Sequence, residues 1–404
     1  MSYLEKLLDG VSVEWKPLGE YADYEQPTRY LVESNNYNNN FKTPVLTAGK
    51  TFILGYTDET DGIYKASENP VIIFDDFTTA NKWVDFDFKA KSSAMKMITS
   101  KDESKASLKY IYYWMNTLPS ELVDGDHKRQ WISNYANKLI PIPCPANSKK
   151  SLEIQQKIVG ILDTFSELTA ELTAELTAEL TARKMQYSYF REKLYSFDKN
   201  KVQHLPLGDE NIGKFIRGGG LQKKDFTETG VGCIHYGQIY TYYGTYTDKT
   251  KSFVSEEFAK KARMAKYGDL VIATTSENDE DVCKAVAWLG DKEIAVSSDA
   301  CFYRHNLNPK YVAYFFQTEQ FQKQKRSFIT GTKVRRVNAD DLAKIKIPVP
   351  SKEEQERVAT ILEKFDTLTN SISEGLPKEI ELRQKQYEYY RDLLLAFPQD
   401  NLES

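Results

Sequence analysis

The chain copies part of itself, and that copy limits its architecture before any single motif is weighed. Ile161-Leu162-Asp163-Thr164-Phe165-Ser166-Glu167-Leu168-Thr169 lines up with Ile361-Leu362-Glu363-Lys364-Phe365-Asp366-Thr367-Leu368-Thr369 at a constant offset of 200. The register holds through Arg183, Gln186, Tyr187, Tyr189, Arg191, Leu194 and Phe197 against Arg383, Gln386, Tyr387, Tyr389, Arg391, Leu394 and Phe397. A proline-punctuated strand end precedes each copy, Ile142-Pro143-Cys144-Pro145 and Ile347-Pro348-Val349-Pro350. Further upstream, Pro17-Leu18-Gly19-Glu20 echoes Pro206-Leu207-Gly208-Asp209. The order is region, helix, region, helix, and the two regions otherwise differ.

The repeated segments carry apolar residues at helical spacing. Ile154, Ile158, Ile161, Phe165 and Leu168 form a narrow coiled-coil-like seam, which Val358, Ile361, Phe365 and Leu368 repeat. Four tandem Glu-Leu-Thr-Ala tetrads from Glu167 to Ala182 extend the seam through Leu172, Leu176 and Leu180 at a strict period of four. At about 100° per residue, such a stripe drifts about 40° per tetrad. One long helix is predicted over residues 151–197, where the tetrads favour helix, no proline intervenes and Gly160 is the one glycine. A flexible linker would be built from Gly, Ser or Pro instead. In the second copy Gly375 and Pro377 predict a break. Strand-like runs at residues 43–47, 70–74 and 269–273, with helical stretches at Leu108–Asn116 and Tyr311–Lys325, make the remainder mixed α/β (α+β). The expected division is 1–149, first globular domain; 150–200, helical spacer; 201–350, second globular domain; and 351–399, second helical spacer.

Length and composition fit this division. A chain of 404 residues with 41% apolar side chains has ample core for several domains. The short run Val71-Ile72-Ile73-Phe74 cannot span a bilayer, and the start Met1-Ser2-Tyr3-Leu4-Glu5-Lys6 lacks the basic and apolar regions of a leader. A cytoplasmic protein is the expectation. Cys144, Cys233, Cys283 and Cys301 are scattered, with no C-x-x-C pair, which argues against structural zinc and a disulfide framework.

The net charge of −4 divides unevenly, as −2, −2, +5 and −5 over residues 1–150, 151–200, 201–350 and 351–404. The basic side chains form local groups: Lys89 with Lys91; Lys128 with Arg129; Arg217 with Lys223 and Lys224; and Lys333 with Arg335 and Arg336. Lys128 and Lys333 stand fifteen residues before Pro143 and Pro348, each after a glycine in a polar turn, which reads them as equivalent. A turn that presents Lys and Arg can approach a sugar-phosphate backbone, and Arg can also read guanine bidentately.

Catalytic patterns fail by comparison. Gly49-Lys50-Thr51 lacks the first glycine of a phosphate loop, because Pro44 stands there. Arg217-Gly218-Gly219-Gly220 has no strand, G-x-G-x-x-G and helix context, and reads as a tight turn. Asp85-Phe86-Asp87-Phe88-Lys89 faintly suggests a nuclease D-x-K element but equally describes an edge strand. No catalytic residue and no metal site is assigned.

These features resemble the specificity subunits of type I restriction and modification enzymes. The resemblance rests on two dissimilar regions each followed by a helical copy, on the I-P-x-P lead-ins and on the endings Gln186-Tyr187-Ser188-Tyr189-Phe190-Arg191 and Gln386-Tyr387-Glu388-Tyr389-Tyr390-Arg391. The tetrads are similar to the variable tetrapeptide (TAEL) repeat of one branch of that family. It implies two target recognition domains reading the halves of a split, asymmetric double-stranded DNA sequence, and helices that pack as an antiparallel coiled-coil spacer with pseudo-twofold symmetry. It further implies docking of two methyltransferase subunits and two motor-nuclease restriction subunits. No cofactor would bind this chain; S-adenosylmethionine, ATP and Mg would belong to those partners. A self-contained restriction or methyltransferase enzyme and a structural coiled-coil scaffold are the alternatives. Neither explains why connecting segments repeat while intervening regions diverge.

Removing one tetrad shortens the helix by about 6 Å, against about 3.4 Å per base pair. A three-tetrad variant is expected to change the spacer by one or two base pairs and leave both half-sites intact. Mapping its methylated sites checks this, and an unchanged spacer would contradict it.

Overall fold

Each I-P-x-P segment is a strand, and each pairs antiparallel with the strand that ends in the echoed Pro-Leu-Gly. In the computed structural model, which describes residues 3–49, 51–119, 129–371 and 373–398, Val13–Pro17 pairs with Leu139–Pro143 and Gln203–Pro206 with Lys346–Val349. Pro17 faces Leu139, and Pro206 faces Lys346. Leu18 N–H then donates to Lys138 O at 2.7 Å and Leu207 N–H to Ile345 O at 2.8 Å, with both leucine side chains fully buried. The following glycine passes close to an alanine in each case: a Cβ at Gly19 would lie 3.2 Å from Ala136 Cβ, and one at Gly208 would lie 2.7 Å from Ala343 Cβ. The echo is thus a packing requirement.

These pairings correct the alignment of the lead-ins. Ile140-Pro141-Ile142-Pro143 is the counterpart of Ile347-Pro348-Val349-Pro350, an offset of 207, and Ile142-Pro143-Cys144-Pro145 is displaced from it by two residues. Tyr110 and Tyr311 confirm the register, donating to Pro141 O at 2.7 Å and Pro348 O at 3.0 Å.

The chain forms two compact units, Met1–Glu175 with Ile380–Ser404, and Leu176–Glu379. Each takes one sheet-rich region and parts of both helical segments. In the first unit a four-stranded antiparallel sheet has the order Ala22–Glu25, Met95–Ser100, Val71–Asp75, Asn81–Val84. A three-stranded sheet, Ile53–Thr57, Thr43–Leu46, Lys89–Ala90, lies beside it in sequence. In the second unit one five-stranded sheet runs Gly213–Arg217, Ala300–His305, Leu270–Ala273, Ala285–Trp288, Tyr246–Thr247, and another is built on Val231–Ile234 and Ile294–Val296.

Ser148–Leu194 is one uninterrupted helix, whereas the second copy breaks between Lys352–Asn370 and Gly375–Leu394, as Gly375 and Pro377 predict. The stretch predicted at Tyr311–Lys325 also divides, into Pro309–Phe315 and Glu319–Arg326, because Thr318 caps the second helix through its hydroxyl.

Each helical copy has two working faces. Ile154, Ile158 and Leu162 face the first unit's core, and Val358, Ala359 and Leu362 face the second's, all essentially inaccessible to solvent. The adjoining face meets the other repeat's ending: Phe165 packs on Tyr390 at 5.7 Å, and Phe365 on Phe190 at 5.6 Å and Tyr187 at 6.0 Å. Ile161, Ile361 and Leu368 are half-buried along it. The tetrad leucines do not continue a buried seam. Leu168 and Leu172 are 49% and 41% exposed and Leu176 and Leu180 half-buried, so a stripe that drifts at period four does not keep one face covered.

The sheet-rich regions share one further repeat. Lys109-Tyr110-Ile111-Tyr112-Tyr113 and Lys310-Tyr311-Val312-Ala313-Tyr314 occupy equivalent short helices, and both grip the helical copies. Lys109 pairs with Asp163 at 3.2 Å, and Lys310 with Glu363 at 2.6 Å. Tyr113 OH donates to Asp163 and Tyr314 OH to Asp366. Below them Gln155 Oε1 accepts from Ser107 N at 3.0 Å and Gln355 Oε1 from Asn308 N at 2.9 Å, with both glutamines buried. Gln155→Ala is expected to cost about 1–3 kcal/mol, the penalty for stranding the Ser107 N–H and Lys105 carbonyl it serves. Denaturant unfolding measures it, and unchanged stability would mean that water satisfies those groups.

Candidate nucleic-acid interface

The offset of 207 pairs Lys128-Arg129 with Arg335-Arg336, rather than Lys128 with Lys333. The backbone supports this locally, since Gln130 N–H donates to Asp76 O at 2.9 Å and Val337 N–H to Thr274 O at 3.2 Å. Asp76 and Thr274 are therefore equivalent, each just beyond a central strand. The strand registers carry the equivalence across the sheet: Phe74 faces Lys96 and Ile272 faces Cys301, while Glu25 faces Met97 and Ile216 faces Phe302. Four positions coincide in the two units: Gln26 with Arg217, Asp76 with Thr274, Lys96 with Cys301, and Arg129 with Arg336.

In the second unit this place is an open cleft of about 420 Å³, lined by Arg217, Thr274, Thr275, Asp299, Arg336 and Asn338 among others. Arg217 ends its strand, and the chain then runs on through Gly218, where a Cβ would lie 2.0 Å from Ser297 O. Gly218 is thus a close backbone approach, and Gly219 bridges Ser297 in parallel pairing, so the segment continues along its neighbour instead of forming the tight turn expected from the sequence. Arg336 sits opposite Thr275 in a two-residue ladder and exchanges backbone hydrogen bonds with Thr330, both at 2.9 Å. Gly331 closes that turn at φ +87°, a conformation available to glycine at little cost. Arg335 is held by Asp279 at 2.8 Å and donates to Gly331 O at 2.6 Å. Lys333 is exposed at the tip of the turn. Lys223 and Lys224 are exposed on a separate 3-10 turn that Gln222 and Asp225 cap. Of the residues singled out in the sequence, the cleft brings Arg217 and Arg336 together and leaves the others outside its lining.

In the first unit Arg129 is exposed, and Lys128 lies outside the described residues. Gln26, with its amide turned carbonyl-first, accepts from Arg129 Nη1 at 3.2 Å and from Lys96 Nζ at 3.1 Å. Lys96 is buried; its ammonium lies 3.7 Å from Asp76 Oδ2 and 4.6 Å from the centre of the Tyr24 ring. Burial pushes the Lys96 ammonium below its ordinary range, while Asp76 acts the other way. Lys91 donates to Asn35 Oδ1 and lies over the Tyr37 ring. Lys89 is a correction. It is 4% exposed, pairs with Glu59 at 2.6 Å and donates to Asp61 O at 2.8 Å. That buried pair removes Lys89 from the candidate contacts, because an ammonium sunk beside a carboxylate cannot reach a phosphate in this conformation.

The D-x-K pattern dissolves likewise. Asp87 bonds Lys65 and Ser67, and Asp85 accepts from Trp83 Nε1. No group of three or more His, Cys, Asp or Glu side chains is placed to hold a metal among the described residues. No helix among the described residues is long and apolar enough to cross a membrane. Sequence alone does not single out Gln26, Lys96 and Asp76, since single polar residues in diverged segments carry no motif. The equivalence of Arg129 and Arg336 is the signal that reveals them.

Replacing Lys333, Arg335 and Arg336 together by Ala is expected to weaken DNA binding, with the salt slope falling by about one for each phosphate interaction removed. Unchanged affinity and slope in a salt titration would assign all three to solvent.

Comparison with known proteins gives a consistent picture. The family model described as "Type I restriction modification DNA specificity domain" matches twice, over residues 11–182 and 210–382. The chain is 52% identical over 400 residues to the EcoR124I/EcoR124II type I restriction enzyme specificity subunit of Escherichia coli, covering 98% of both chains. It is 32% identical over 416 residues to a putative type I restriction enzyme specificity subunit of Haemophilus influenzae, again covering 98% of each. Among solved structures, a chain from a study of the assembly and conformational transition of a type I restriction-modification system matches at TM-score 0.61 and 14% identity, with 95% of this chain and 97% of that one covered. The S subunit of a type I restriction-modification system from M. genitalium matches at TM-score 0.51 and 16% identity, covering 99% and 100%.

Proposed function

The chain belongs to the type I restriction-modification DNA specificity family, and from that premise we propose that it reads a bipartite, asymmetric DNA target, one half-site per sheet-rich region. The observation that carries this reading is the double occurrence of the specificity domain in one chain with different side chains at the equivalent places. Regions 1–149 and 201–350 are the recognition domains of this proposal. The helical segments 150–200 and 351–399 set the distance between half-sites. Two methyltransferase subunits, and two restriction subunits in the cleaving complex, dock on the chain; S-adenosylmethionine, ATP and Mg are bound by those partners and not here. The complex acts in the cytoplasm. The candidate DNA contacts are Lys91, Lys128, Arg129, Arg217, Lys223, Lys224, Lys333, Arg335 and Arg336.

Physical chemistry supports the division of labour. Phosphate contacts from exposed Lys and Arg fix register, whereas base edges supply sequence information. A chain with two unlike reading sites therefore marks two unlike half-sites, while the repeated helical parts offer the same surface twice to a partner present in two copies. DNA treated with the assembled methyltransferase is expected to carry modified bases in one split motif, and the purified chain alone is expected to transfer no methyl group. Mapping modified bases in both samples checks this. A continuous motif, or methylation by the single chain, would overturn the reading.

A further inference from the structure

Gln26 sits in the first unit where Arg217 sits in the second, and the two share one property. A guanidinium can only donate hydrogen bonds, whereas a free amide presents either a donor or an acceptor, depending on its flip. At Gln26 that choice is removed. Its carbonyl accepts from two cationic groups, Lys96 Nζ at 3.1 Å and Arg129 Nη1 at 3.2 Å. Lys96 is 1% exposed, cannot swing away, and is itself held by the carboxylate of Asp76, which also accepts from Trp131 N at 2.9 Å. Gln26 is exposed, so the group left for a ligand is its NH₂.

We propose that Gln26 is a specificity-determining residue of the first recognition unit, locked as a hydrogen-bond donor by the buried Lys96, and that it reads an acceptor on the major-groove edge of one base of the first half-site. Arg217 holds the equivalent donor position for the second half-site. Both sites then favour bases that present acceptors, such as guanine O6 and N7, and reject an edge that offers only the cytosine amino group. Lys96 is a positioning residue: it touches no DNA and acts by fixing the amide. The inference rests on the reading of the two units as half-site readers and adds the residue and the polarity of its contact.

Two variants test it within the complete methyltransferase complex, with modified bases mapped on a randomised DNA library. Gln26→Glu replaces the donor by a carboxylate that Lys96 and Arg129 still hold. It is expected to reduce discrimination at one position of the first half-site by roughly five-fold, the scale of about 1 kcal/mol for one hydrogen bond. It should move preference there toward cytosine or adenine amino groups and leave the second half-site unchanged. Lys96→Met leaves only the exposed Arg129 on the carbonyl, loosens the orientation of the amide and is expected to relax the same position without reversing it. Arg217→Ala should relax the second half-site only. Should Lys96→Met fail to fold, Gln26→Glu decides alone, being exposed and isosteric. A bipartite wild-type motif that Gln26→Glu leaves unaltered, or weakens evenly at every position, contradicts this inference while the reading of the chain stands. A wild-type complex that marks no bipartite motif overturns both.

Discussion

The attachment of each sheet-rich region to its own copy of the helix governs the rest of the structure. One set of contacts makes it twice: the buried Gln155 and Gln355 accept from half-buried backbone N–H groups, Lys109 and Lys310 pair with Asp163 and Glu363, and Leu162 and Leu362 are inaccessible beneath them. The ion pairs are about 30% exposed and partly screened, so they contribute little beyond orientation. The stronger constraint is the glutamine. A backbone donor shielded from water and without an acceptor costs about 1–3 kcal/mol, and the Ser107 and Asn308 N–H groups each find theirs in the glutamine. The phenols of Tyr113 and Tyr314 add a second fixed point, and burial holds both far above their ordinary titration range, where they remain donors.

This attachment separates what must stay constant from what is free to vary. The repeated residues lie where a region meets its helix and where a helix meets the other repeat's ending. The equivalent polar site at Gln26, Asp76, Lys96 and Arg129, or Arg217, Thr274, Cys301 and Arg336, lies on the sheet and on the segments that lead into Gln130 and Val337. It can change from a closed network with a buried ammonium to an open cleft with two guanidiniums, because none of its members belongs to the attachment. A DNA-reading protein gains from that arrangement, since new half-sites follow from substitutions that leave the supporting helix undisturbed.

Much of this organisation is legible in the sequence, and the gaps have physical causes. The offset of 200 is visible because both faces of each helical copy are constrained by packing. The Lys-Tyr-x-x-Tyr repeat is also written in the chain, but its offset of 201 hides it from a search at 200. Ile140-Pro141-Ile142-Pro143-Cys144-Pro145 contains two overlapping I-P-x-P matches, and only backbone pairing decides between them; the wrong choice pairs Lys128 with Lys333. The period of the tetrad leucines shows that their stripe drifts, but not where it leaves the contact face. Lys89 reads as a free surface cation because its partner Glu59 comes from a strand neighbourhood thirty residues away. Lys96 sits in a β-run, and a lysine there ordinarily faces solvent.

The central claim is that each region, held on a helix by the same attachment, reads one half-site independently. It is tested most directly by replacing residues 18–138 with residues 207–345, which begin and end at equivalent backbone positions, and mapping the bases modified by the resulting complex. Two identical half-sites, both those of the second region, at the original spacing are the expected result. A map that retains the first half-site would contradict the claim.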